Sequence, residues 1–150
     1  MVRVQREDFD VGAELARLTE GNRRIGGVAS FVGLVREMAG ATGVQAMTLE
    51  HYPGMTERKL AEIEAEARRR WPLDATLIIH RHGRLEPGDR IVLVATASAH
   101  RQAALESCAF LIDWLKTKAP FWKLEETGEG ARWVEARDSD DEAARRWVAE

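Results

Sequence analysis

The chain has 150 residues, 45% of them hydrophobic and 31% charged, with a formal net charge of −3 at pH 7. That balance is expected of one globular domain with a single core, and it excludes a nucleic-acid partner held by bulk charge. No apolar run approaches the roughly 20 residues of a membrane span, and MVRVQREDFD lacks the apolar centre of an export signal. With no such signal and one cysteine, the cytoplasm is the expected location.

In chain order, Val2 to Gln5 reads as a short strand, and Asp10 caps a helix over Val11 to Leu18 that Gly21 stops. Gly26-Gly27 opens VASFVGLVRE, whose β-branched and apolar residues predict a strand central in a sheet. A flexible loop, AGATG (39–43), should follow, then a second strand from Val44 to His51, broken by Tyr52-Pro53-Gly54. A helix from Thr56 to Trp71 turns Leu60, Ile63 and Ala67 inward, and its closing run of Arg68, Arg69 and Arg70 suits the helix dipole. Ala75 to His82 and Arg90 to Ser98 make two strands of a hairpin around LEPGD.

The stretch HRQAALESCAFLIDWLKTKAPFWK, from His100 to Lys123, organises the rest. Ala104, Cys108, Leu111, Ile112 and Leu115 recur at three- and four-residue steps, so they form a buried helical stripe that Pro120 ends. Basic residues stand at both ends of it: His100 and Arg101 at the start, Lys116 and Lys118 in the last turn, Lys123 just beyond. Trp122 to Glu126 and Arg132 to Glu135 flank TGEG as a last hairpin, and Ser139 or Asp140 caps a closing helix through Val148. The sum is a single α+β domain over residues 1–150, a mixed, mostly antiparallel sheet with hairpins packed against about four helices.

Few constellations in this chain point to chemistry. Cys108 lies on the buried stripe, and a thiol in apolar surroundings is a poor nucleophile. His80 and His82 share a strand face, and His100 would be a third metal ligand, but no ligand spacing supports a metal, and backbone or Glu86 partners are expected instead. Gly26-Gly27 and Gly33 precede a strand, where a phosphate-binding loop needs a helix, and no GxSxG is present. The cations are the better lead. Lys116 and Lys118 suit a helix C-terminus, whereas Arg101 in a first turn opposes the dipole unless an anion sits there. Cations sharing a pocket hold an anion, and their repulsion lowers a lysine's pKa from about 10.4 towards neutrality, fitting it for proton transfer. On the residues alone, an enzyme, a non-catalytic anion-binding module and an acyl-carrier thioester hydrolase all stay open.

Six strings resemble the large, catalytic subunit of molybdopterin synthase: GGVASFVGLVRE (26–37), LEHYPGMTERKL (49–60), HRHGRLEPGD (80–89), ASAHRQAALESC (97–108), DWLKTKAPFWKLE (113–125) and RWVEARDSD (132–140). They run in that family's order over most of the chain. The resemblance implies a sulfurtransferase of molybdenum-cofactor biosynthesis that converts cyclic pyranopterin monophosphate to molybdopterin and has no resident cofactor or metal. Its two sulfurs arrive as the thiocarboxylate at the Gly-Gly end of a small ubiquitin-like partner subunit. It also implies a homodimer of this chain inside a heterotetramer. By matched position, Lys116 is the lead catalytic residue and Lys123 the second. Arg36, His100 and Arg101 bind the pterin and its phosphate, with Phe31, Leu34 and Val35 in the same strand motif as Arg36. Leu34 stands where many members carry lysine, so its backbone would make any phosphate contact. Glu125 matches a substrate-pocket acid, and Arg137 an arginine that reaches the neighbouring subunit's site.

Overall fold

A computed structural model of the chain describes residues 1–37, 46–127, 130–134 and 138–148. The elements are β1 (Val2–Gln5), α1 (Val11–Thr19), β2 (Gly27–Leu34), β3 (Ala46–His51), α2 (Met55–Arg70) and β4 (Leu73–Arg81). They continue as β5 (Gly83–Leu85), β6 (Arg90–Ser98), α3 (Arg101–Lys118), β7 (Phe121–Thr127), β8 (Gly130–Val134) and α4 (Asp138–Arg145). The loop expected at 39–43, Val44 and Glu135 lie outside the described residues.

Two four-stranded sheets result, in the orders β1-β4-β6-β2 and β5-β3-β7-β8. Among the described residues only the β1–β4 pair is parallel. The centre of the first sheet is β6, whose IVLVATAS is buried throughout. Consecutive residues of β4 and β6 serve opposite faces. Ile78, Val92 and Val94 pack with Leu60 and Ile63 of α2 and with Cys108, Phe110 and Leu111 of α3. Leu77, Ile79, Leu93 and Ala95 pack with Phe9 and with Val11, Leu15 and Leu18 of the α1 side. Burial on both faces is why neither strand alternates polar and apolar residues. Each Leu or Ile so enclosed contributes roughly 1.5–3 kcal/mol.

Local signals hold at several junctions. Asp10 Oδ1 accepts the Ala13 N–H at 3.0 Å and so caps α1. Glu57 accepts the Gly54 N–H at 3.2 Å ahead of α2. The hairpin around LEPGD is longer than the turn suggests. β4 and β6 do pair, Ile79 with Leu93, but the chain between them leaves at Gly83, with φ of 93°, to give β5 to the other sheet. The closing helix begins at Asp138, ahead of either expected cap, and ends at Arg145 rather than Val148.

β2 is the main correction. Its apolar density predicts a central strand, yet it lies at the edge of its sheet. Ala29 is buried, while Val28, Phe31 and Leu34 are 41%, 41% and 54% exposed. The composition reports a need for cover, and among the described residues no strand lies on the outer side of β2. Gly33 is fixed here by close approach, since a Cβ would stand 2.7 Å from Val92 Cγ1.

Candidate functional site

The basic residues divide between the two ends of α3. At its C-terminus, Pro120 cannot continue the helix. The Ala119 N–H still donates to Leu115 O at 3.3 Å, and the Phe121 N–H turns back to Ala119 O at 2.9 Å. That tight turn leads from Lys116, in the last helical turn, into β7. Strand alternation then sends Phe121, Lys123 and Glu125 to one face and Trp122 to the other. The direct partners of those three on β3 are His51, Leu49 and Met47. Leu49 and Met47 are buried, so Lys123 and Glu125 stand on the core-facing side of the second sheet, half-buried. Trp122, on the outer side, meets Tyr52 edge-on with ring centroids 4.7 Å apart.

His80 closes this corner from the first sheet. It is 4% exposed, and its ring stacks on Phe121 with centroids 3.8 Å apart and 18° between planes. Its Nδ1 lies 2.8 Å from the Arg81 carbonyl oxygen. Burial above all pulls its pKa down to about 3; the Arg81 bond opposes this, and the charges of Lys116, Lys123 and His51 add to the lowering. The ring is therefore neutral at pH 7. His51 and His82 stand beside it, with ring centroids 4.3 Å apart. Both lysines act on this one imidazole, which puts the C-terminus of α3, the start of β7 and the end of β4 at one corner.

Leu34, Val35 and Arg36 leave β2 at this same end of the first sheet, where Leu34 pairs with Arg90 and His80 with Val92. Val35 is buried. Its N–H donates to Asp89 O at 2.8 Å and its carbonyl accepts from Gly88 at 2.7 Å. Both its backbone groups are thus engaged by the turn, which leaves it anchoring the exposed Arg36 rather than offering a donor of its own. Phe31 faces the α3 side of β2, paired with Val94. Lys118 lies 4.6 Å from the centroid of the Trp114 ring, a packing role that sets it apart from Lys116.

His100 and Arg101 are at the opposite end. Arg101 Cα stands beside Gly27, at the start of β2, 3.5 Å from where a Cβ would be. Fifteen residues of helix separate it from Lys116, about 22 Å at the α-helical rise. One chain therefore does not bring all the expected cations into one pocket. The first turn of α3 holds no acidic residue, and His100 gives no side-chain cap. Arg137 lies outside the described residues. Among the described residues no three His, Cys, Asp or Glu side chains converge as metal ligands. Cys108 is buried, which pushes its thiol up to about 11.

Residues 4–118 match the family model described as MoaE protein. The chain belongs to the MoaE family. It is 58% identical over 146 residues to the molybdopterin synthase catalytic subunit of Pseudomonas aeruginosa, covering 97% of each chain. It is 55% identical over 148 residues to that of Mesorhizobium japonicum, covering 97% of this chain and 92% of the relative. Among solved structures, the molybdopterin biosynthesis MoaE protein of Burkholderia ambifaria superposes with a TM-score of 0.86 at 54% identity, over 100% of this chain and 99% of that one. Molybdopterin synthase from Staphylococcus aureus superposes at 0.81 with 33% identity, over 89% and 96%. Within this MoaE fold, reading the sequence missed Phe121 and His51; for His80 it expected a backbone or Glu86 partner in place of a metal, and the ring bonds the Arg81 carbonyl, but its place beside the lysines was not foreseen. The signal available was the alternation of β7, which carries position 121 on the face of Lys123.

Proposed function

We propose that this chain is the catalytic subunit of a molybdopterin synthase, acting as one domain over residues 1–150 in the cytoplasm. Its substrate is cyclic pyranopterin monophosphate. Its sulfur donor is the thiocarboxylate at the Gly-Gly end of a small ubiquitin-like partner. The observation that carries the reading is that Lys116, in the last turn of α3, and Lys123, on the core-facing side of β7, flank the turn that lays Phe121 on the buried His80.

The chemistry follows from those groups. Thiocarboxylate sulfur bonds to a pterin side-chain carbon as a C–O bond to the cyclic phosphate breaks, and the oxygen leaves as a phosphate anion. Ammonium groups aimed at that oxygen stabilise the developing charge. Water then adds to the acyl carbon and the acyl C–S bond breaks. Sulfur stays on the pterin, and the partner departs as a carboxylate. A second charged partner supplies the second sulfur, which bonds to the neighbouring side-chain carbon as that carbon's oxygen leaves as water, and hydrolysis of its acyl C–S bond again releases the partner as a carboxylate. Lys116 and Lys123 hold the anion and move the protons, and Arg36, with Phe31, Leu34 and Val35 beside it and Glu125 across the corner, lines the substrate.

The homodimer completes the site. Two copies paired antiparallel along the exposed edge of β2 would cover Val28, Phe31 and Leu34. The same pairing sets the start of one β2, with its neighbouring Arg101 and His100, against the Leu34–Arg36 end of the other. A substrate at the lysine corner would then be met by the second copy's Arg101 and His100, and the family resemblance assigns Arg137 to the neighbouring subunit's site as well.

A reconstituted assay tests the reading, with cyclic pyranopterin monophosphate, a thiocarboxylated small subunit and the dithiolene product followed as a fluorescent oxidised pterin. Wild type should form product, and Lys116→Ala almost none. Absence of product with a charged, bound partner would refute the assignment.

A further inference from the structure

The corner contains a buried group that the sulfur-transfer scheme does not use. His80 comes from β4, on the first sheet, yet its ring lies flat on Phe121, the first residue of the strand that carries Lys123. Phe121 is also the cross-strand partner of His51. The stack therefore fixes the entry of β7 against the other sheet, just after the turn that follows Lys116.

The tautomer follows from the partner. A backbone carbonyl only accepts, so the 2.8 Å contact to Arg81 requires the proton on Nδ1. A neutral imidazole has one such proton, and its Nε2 is then a bare lone pair. Such a ring neither donates from Nε2 nor adds to the positive charge already crowded there. What it offers is one rigidly held acceptor, lying against the face of β7 on which Lys123 follows Phe121 by two residues, and an acceptor's natural complement is an ammonium.

Resting on the sulfur-transfer reading, we propose that His80 is a positioning residue for the catalytic lysines. Its Nδ1–H, tied to the Arg81 carbonyl, and its stack on Phe121 hold Nε2 as a hydrogen-bond acceptor that sets the direction of a lysine ammonium. The ring does not exchange protons with the substrate. Burial makes it a weak base and keeps it uncharged in the neighbourhood of the two lysines.

Two substitutions separate packing from hydrogen bonding. His80→Phe keeps a flat ring on Phe121 and removes both nitrogens. His80→Gln loses the ring and restores an acceptor oxygen. In the reconstituted assay His80→Phe should bind the small subunit as wild type does. It should keep KM for the pterin within about twofold while kcat falls on the order of 100-fold, the cost of a misaimed group. His80→Gln, although less stable to heat, should turn over faster than His80→Phe. Wild-type kcat in His80→Phe, or a slower His80→Gln, would overturn the proposal.

Nitrogen-15 spectra of the histidine rings in wild-type protein give a readout that needs no folded His80 variant. They should show His80 as the Nδ1–H tautomer, with an Nε2 resonance that moves in Lys116→Ala or Lys123→Ala. An Nε2–H tautomer, or a resonance indifferent to both lysines, refutes the role. Wild type failing to turn over would instead refute the sulfur-transfer reading, and the spectra would still decide where His80 directs its lone pair.

Discussion

Two inactive variants of this chain should restore each other when mixed. Lys116→Ala removes a cation at the C-terminus of α3, and Arg101→Ala removes one at its N-terminus. The helix holds these positions about 22 Å apart, a span of fifteen residues at 1.5 Å each, which is more than the two side chains can bridge. If one substrate needs both, they come from different copies. A dimer of one variant has no complete site, whereas a mixed dimer has one. It pairs the intact Lys116 of the Arg101→Ala copy with the intact Arg101 of the other. With equal amounts and free subunit exchange, half the dimers are mixed, so the mixture should recover about a quarter of wild-type turnover. The assay is dithiolene formation before and after co-refolding or prolonged incubation of the two proteins. Lys116→Ala mixed with Lys123→Ala is the control. Those residues sit at the same corner of one chain, and the mixture should recover nothing. Activity no greater than the sum of the separate variants would refute the composite site.

Two further outcomes follow from buried groups. Cys108→Ala should leave turnover at the wild-type rate and cost about 1 kcal/mol of stability in a denaturant titration. Loss of turnover without loss of fold would mean that the thiol takes part. For His80, the folded pKa of about 3 lies below the ordinary histidine value, so as pH falls from about 6.5 towards 3 the unfolded chain takes up a proton that the folded one refuses. Stability should therefore decline through that window, and the slope of melting temperature against pH should be shallower in His80→Phe. Equal slopes in the two proteins would contradict a buried neutral ring.

Where one residue's chemistry or one period decided an element, the sequence was a sufficient guide. Asp10 before an apolar run, Leu60–Ile63–Ala67 at helical spacing and Pro120 after a helix each act within a few residues, and each does in the structure what its local chemistry requires. Long-range pairing was not legible. Nothing in GVASFVGL says whether a neighbouring strand lies on one side of it or both, because composition reports how much apolar surface needs cover and not who covers it. The splitting of the strands into two sheets turns on Gly83, where a positive φ redirects three residues into the other sheet. The candidate residues were legible through the family strings, but their distribution was not. Lys116 and Lys123 are seven residues apart and meet at one corner. Arg101 is on the same helix as Lys116 and stands at the other end of the molecule. Phe121 and His80 were hidden because their contact joins strands of different sheets.

Two features are unexplained within one chain, and the same contact resolves both. The β2 edge exposes Val28, Phe31 and Leu34, and among the described residues no strand lies on its outer side, an arrangement that invites pairing. The start of α3 carries Arg101 and no acid in its first turn, against the sense of the helix dipole. The proposed twofold contact along β2 would cover the first. Because Gly27 abuts Arg101 and Leu34 leads to Arg36, it also carries the second to the opposite end of the neighbour's strand, where the substrate phosphate would be bound. The dimer in this account is part of the site: the cation that a lone chain places badly becomes, across the axis, the one that an anion at the lysine corner requires.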